Sequence, residues 1–228
     1  MAILFQIADT AAQLAANAQP AIEKISLWEL LNRGGWLMYP LYFLLVVALF
    51  VFFERLISIR KASKSDKNFM PTIRENILTG NIKGADTLAK NSDTPISRMI
   101  AKGLKRIGKP IDVIEKSMET VGKQEVYNME KNLSILSLIA GIAPMFGFLG
   151  TIIGMIQLFY EINSSGNFEL STIAGGIYVK MITSAAGLII GLIAYIFHNY
   201  LSTQVDKAAN KIEIAGTEFI DILQEPTK

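Results

Sequence analysis

AGIAPMFGFLGTIIG at residues 140–154 and GGIYVKMITSAAGLIIG at residues 175–191 decide the fold. They lie in apolar runs at 133–160 and 173–199, each longer than the roughly twenty residues a helix needs to cross a bilayer. A link at 161–172 joins the two runs into a helical hairpin. Neither arm is plain Leu and Val. Gly, Ala, Ser and Thr recur along both, with Pro144 on the first. In lipid, helices gain nothing by hiding apolar surface from an apolar solvent, so small residues mean backbones packed closely against other helices. The hairpin therefore reads as the core of an oligomeric membrane protein.

Composition supports that reading. Of 228 residues, 51% are hydrophobic and 18% charged, and the mean hydropathy is +0.36. A soluble domain of this length carries more charge and shorter apolar runs. A third candidate span occupies 36–53. There is no cysteine, hence no disulfide, thiolate nucleophile or thiolate metal site, and the single histidine, His198, excludes a histidine cluster. No activated-nucleophile set is present, and the glycines at 141–154 lie inside a span instead of in a phosphate-binding loop. The expectation is a protein that is not an enzyme and has no metal, no cofactor and no nucleic-acid partner.

Charge sets the expected orientation. Sixteen of the 22 Lys and Arg fall between positions 54 and 131, whereas the link at 161–171 has two Glu and no base. Lys and Arg mark the cytoplasmic side. The middle segment at 54–132 and the tail at 200–228 are expected inside, with the N-terminal 1–35 and the link at 161–172 outside. Within 1–35, apolar residues at helical spacing suggest an amphipathic helix on the outer membrane face, with an uncleaved targeting segment as the alternative. Ser26 and Glu29 form a capping-box pattern for a short helix running to Gly34-Gly35. Trp36, Tyr39 and Tyr42 suit the outer interface, and Glu54-Arg55 ends the span.

The 54–132 segment reads as several helices. One starts at Met70-Pro71 and ends at Gly80, one covers 82–90, and one opens at Thr94-Pro95 and closes at Gly108. From 110 to 160 there is no strong stop except Pro144, so a single helix of about 75 Å is expected. The third span continues past His198 through Val205, Ile212, Ala215, Phe219 and Leu223 at helical spacing. The fold class is an all-α membrane protein: three transmembrane helices, N-out and C-in, with two long helices extending into a cytoplasmic helical domain.

The site follows from spacing. Pro144, Gly147, Gly150, Thr151 and Gly154 share a face of the first arm; Gly176, Lys180, Thr183, Ser184 and Gly187 share one on the second. Counted from a turn near Gly166, Thr151 lies level with 181–184, close to the middle of the bilayer. The glycines read first as helix packing. The hydroxyls either bond their own helix's carbonyls or line a hydrated path, and Pro144 kinks its helix and frees a carbonyl. Lys180 either snorkels to the outer surface or pairs with a carboxylate from another chain. Neither arm holds an Asp or Glu within its apolar run. A proton path needs a titrating group, so in a proton-conducting complex the carboxylate must come from a partner.

Four stretches carry a family resemblance: GGWLMYP (34–40), Glu54-Arg55, IAPMFGFLGTIIGM (142–155) and GIYVKMITSAAGL (176–188). Over nearly its whole length the chain resembles the ExbB/TolQ/MotA family of proton-driven stators. The third of these, in the hairpin's first arm, is the most specific. The resemblance implies a pentamer around two copies of an ExbD-like single-span subunit. That partner carries a membrane aspartate which takes up and releases protons, and the work passes to a TonB-like protein. Carried over by position, the family's pore threonine in span two is Thr151 and its second threonine column is Ser184, beside Thr183. The glutamate that many relatives carry is Val179 here, followed by Lys180, which puts a glutamate ring in doubt. The 35-residue outer extension favours the ExbB type, in the bacterial inner membrane, over the TolQ type that serves envelope maintenance. A MotA type would have four spans. A passive scaffold remains a different class of reading.

Overall fold

The computed structural model describes residues 35–63, 68–166 and 170–225. The expected outer helix and the Ser26–Glu29 capping box lie outside these residues. Among the described residues the chain is entirely helical and without strands. Seven helices follow one another: α1 (Met38–Ser63), α2 (Phe69–Leu78), α3 (Ile82–Asn91), α4 (Pro95–Leu104), α5 (Ile111–Glu130), α6 (Leu133–Ser165) and α7 (Leu170–Gln224). Among the described residues, three helices are long and apolar enough to cross a membrane.

The axis of the molecule is α7, whose 55 residues run about 80 Å. Along its apolar half it packs against α1 and α6, and along its charged half against α2, α4 and α5. The buried series Ala194, Leu201, Val205, Ala208, Ile212, Ala215, Phe219 and Ile222 keeps steps of three, four and seven residues through both halves. One stripe therefore faces the interior throughout. The rings of Phe52 on α1 and Phe197 on α7 stack with centroids 3.9 Å apart. Just below them Arg55 is buried; its Nε donates to Glu54 Oε2 at 2.7 Å and its Nη1 to the Asn128 carbonyl at 3.3 Å.

The small helices begin and end where turn chemistry dictates. Thr94 caps α4 with its Oγ1, which accepts from the Ser97 amide at 3.2 Å, while Ser97 Oγ accepts from the Thr94 amide at 3.1 Å. This closes a capping box with serine in the usual place of glutamate. Gly80 and Gly108 follow their helices at φ of +74° and +92°, a region that costs glycine little. The helix that Gly108 was expected to close ends earlier, at Leu104, and tight turns carry the chain onward. Arg98 joins α4 to α5 through two bonds to Glu125 at 2.8 and 2.7 Å, and that bidentate grip holds its guanidinium above the usual pKa. Arg74 ties α2 to Glu225 at the end of α7 at 2.8 Å.

Two expectations change. The single helix over 110–160 is in fact α5 and α6, separated at Lys131-Asn132, where Asn132 takes φ +68°. Asparagine tolerates the left-handed region because its short amide side chain bonds locally, so it can break a helix where Gly or Pro is absent. The link is also shorter than 161–172, because α6 continues to Ser165 and α7 begins at Leu170. Gly166 caps α6 at φ +66°.

Candidate functional site in the small-residue hairpin

The arms α6 and α7 run antiparallel and meet glycine to backbone. A Cβ on Gly187 would stand 2.6 Å from the Ala143 carbonyl oxygen and 2.8 Å from Gly147 Cα. One on Gly147 would stand 3.0 Å from the Ser184 carbonyl oxygen, and one on Gly191 would meet the Pro144 ring at 2.6 Å. Above this closest approach, Gly150 takes the methyl of Thr183, Gly154 takes the stem of Lys180, and Gly176 takes Leu158. The glycines singled out by spacing are thus notches, each filled by a named group from the other helix.

The hydroxyls differ from one another. Thr151 Oγ1 donates to the Phe148 carbonyl at 2.6 Å, so within this subunit it bonds its own helix. Thr183 is 2% exposed in the seam. Ser184 is half-buried and lies on the wall of an open groove of about 600 Å³. The other lining groups of that groove, among them Pro144, Phe148, Ile152 and Leu188, are apolar. Ser184 therefore presents the one hydroxyl of that groove, with backbone-packed glycines behind it.

Lys180 lays Cγ, Cδ and Cε across Gly154, where any added Cβ would land on them. Its aliphatic stem is packed against α6 and the residue as a whole is half-buried, a geometry suited to a long cation at an apolar boundary. Leu37, just before α1, reaches the Gly150–Thr183 level, where its Cδ1 would lie 3.5 Å from a Gly150 Cβ. From there α6 continues another 15 residues to Ser165, about 22 Å beyond the start of α1. Depth counted from the turn therefore overestimates how far Thr151 and Thr183 lie from the outer end of α1. Measured along the helices, Lys180 and Arg55 are separated by about 30 Å, and the two threonines lie nearer Lys180.

Spacing missed Ala143 and Leu158. Ala143 is fully buried, and its carbonyl is the closest group to Gly187. The small-x-x-x-small step from Ala143 to Gly147 was the signal for it. Leu158 is a large residue on a small-residue face, with no sequence signal for its place in the Gly176 notch.

A helical chain with three candidate spans and a glycine-packed hairpin is a multi-pass membrane protein. Residues 91–214 match the family model of the MotA/TolQ/ExbB proton channel family. The chain belongs to that family. It is 28% identical over 188 residues to a putative biopolymer transport protein ExbB homolog of Methanothermobacter thermautotrophicus, covering 82% of this chain and 66% of the relative. It is 33% identical over 90 residues to the biopolymer transport protein ExbB of Helicobacter pylori, covering 40% of this chain and 62% of that one. It is 28% identical over 106 residues to the Tol-Pal system protein TolQ of Haemophilus influenzae, covering 46% of this chain and 45% of that one. The chain thus spans two thirds or less of the length of these relatives.

Proposed function

We propose that the chain is the ring-forming subunit of an ExbB-type motor in the bacterial inner membrane. In this reading proton-motive force acts through an ExbD-like partner to drive a TonB-like protein and energise outer-membrane transport. One observation carries the reading: a glycine-packed hairpin presents hydroxyls while none of the segments 36–53, 133–160 and 173–199 contains an Asp or Glu. Such a hairpin can guide and desolvate a proton-carrying carboxylate and cannot itself supply one. Thr151, Thr183, Ser184 and Lys180 flank the path; Pro144, Gly147, Gly150, Gly154, Gly176 and Gly187 hold its wall together. Relatives named ExbB and TolQ both support this type of machine, and the TolQ type is the second reading.

The test is proton flux in vesicles holding the chain with an ExbD-like or a TolR-like partner. Flux is expected only with a partner whose single span carries Asp, and Ser184→Ala together with Thr151→Ala should lower it at least about tenfold, the scale of losing positioned hydroxyls. Undiminished flux in the double variant would remove these hydroxyls from the path. Flux without any partner would overturn the division of labour. Complementation of strains lacking ExbB or TolQ separates the two types.

A further inference from the structure

The Glu54-Arg55 pair has no part in the hairpin site, and it stands at the break between α5 and α6. Arg55 of α1 is 8% exposed. Its Nε donates to Glu54 Oε2 at 2.7 Å and its Nη2 bonds Glu54 Oε1. Its Nη1 donates to the Asn128 carbonyl at 3.3 Å, in the last turn of α5. The preceding rung of that helix, from the Lys131 amide to the Tyr127 carbonyl, is intact at 3.0 Å. An unbroken helix would next bond the Asn132 amide to the Asn128 carbonyl. Asn132 instead takes φ +68°, and the guanidinium donates to that carbonyl. A cation on a C-terminal carbonyl also complements the helix dipole.

The break changes direction without changing phase. Met118, Gly122, Met129, Leu133, Leu136 and Ala143 are buried at steps of four, seven, four, three and seven, the period of one uninterrupted helix. No side chain therefore has to change sides if residues 131–132 become helical. Neither residue is Gly or Pro, and the right-handed helical conformation is the ordinary one for an L-residue. An unbroken helix would lose the bond from Arg55 to Asn128, one of the few contacts satisfying a buried cation.

There is also room for a second arrangement. On one side of the break α6 packs glycine to backbone on α7. On the other, α5 and α7 are separated by a groove of about 590 Å³, with Met118, Gly122, Ile212 and Gly216 on its apolar floor. Its rim carries Glu115, Glu119 and Glu130 on α5 and Glu213 on α7, like charges that hold the walls apart.

We propose that the α5–α6 joint is a two-state bend and that Arg55 is its latch, a positioning residue that holds the bent form. In the bent form Arg55 caps the Asn128 carbonyl and the groove is open. In the straight form the rung from Asn132 to Asn128 closes, α5 takes the line of α6, and the groove narrows against α7. The joint thereby sets the angle between the small-residue hairpin and the arm built from α4 and α5. This device does not rest on the proposed function and holds for an ExbB-type or a TolQ-type machine.

The chain has no cysteine, so spin labels report on chosen positions alone. Lys116→Cys and Ile156→Cys place labels at exposed sites on α5 and α6, about 60 Å apart in a straight helix. The labelled full chain in detergent, diluted with unlabelled chain, should give a single shorter distance by pulsed electron paramagnetic resonance. Arg55→Met should add a component near that straight-helix length. Asn132→Leu should add it too, because it disfavours the left-handed residue while leaving Arg55 in place. Arg55→Lys, which keeps a long cation, and Asn132→Gly should retain the single shorter distance. A cap that only stabilised the fold would lower the melting temperature and leave the distance alone. That result, in whichever of Arg55→Met and Asn132→Leu folds, would overturn the proposal. A long component as large in Arg55→Lys as in Arg55→Met would also overturn it, by removing the latch from the charge.

Discussion

Under the proposed function Lys180 stands beside the path of the partner's carboxylate, and the position of its stem depends on a glycine. Its stem fills the notch of Gly154, and an opposite charge nearby favours the ionised form of a carboxylate. Under the proposed function, Lys180→Met should raise the pH at which the partner's Asp takes up its proton, seen as an upward shift of the pH profile of flux. Gly154→Ala should shift the profile the same way, because the added methyl expels the stem while leaving the charge on the chain. An unchanged profile in both would assign Lys180 to snorkelling alone. Glycine at 187 is different, because a Cβ there meets backbone at 2.6 Å and backbone cannot swing aside. Gly187→Ala should destabilise the hairpin by about 1–3 kcal/mol, read as a lower melting temperature in detergent. Gly141→Ala meets nothing within 4 Å and should be neutral or stabilise by up to about 1 kcal/mol through helix propensity. Both glycines lie within the apolar runs of the hairpin. Only the contacts separate the glycine that must stay from the one that can change.

At the scale of the element, the break between α5 and α6 was hidden because its residue is asparagine. Neither Gly nor Pro stands at 131–132, and the apolar pattern resumes at Leu133 without a polar loop. Asn132 at φ +68° lets the chain change direction while Arg55 donates to the carbonyl of Asn128 one turn earlier. Asn132→Leu should cost about 1–2 kcal/mol, the penalty of placing an ordinary side chain in the left-handed region, whereas Asn132→Gly should be tolerated. Thermal unfolding of both variants checks the sign. The small helices were more legible. Thr94-Pro95 and Gly80 are turn signals that act locally, so they hold whatever the bundle does around them. The one misplaced end, Leu104 in place of Gly108, lies where tight turns carry the chain onward toward the glycine.

For the whole molecule, basic residues gather at one end of the three apolar helices, and the proposed orientation puts that end in the cytoplasm. Reporter fusions at residue 90 and after residue 225 should report inside, and one in the 166–169 link outside; any other pattern would reverse the topology. The class of the fold was readable from the chain because it rests on quantities that add along it: apolar run length, helical period and charge asymmetry. So was the absence of an acidic residue from the spans, which makes a partner carboxylate necessary under the proposed function. Register was not readable. Where Leu37 meets Gly150, where Phe52 stacks on Phe197, and how far α6 and α7 rise past the start of α1 depend on which side chain fills which notch. Such contacts join residues far apart in the chain, and no local pattern encodes their relative height. That is why the acidic groove between α5 and α7 exists only once the helices are packed.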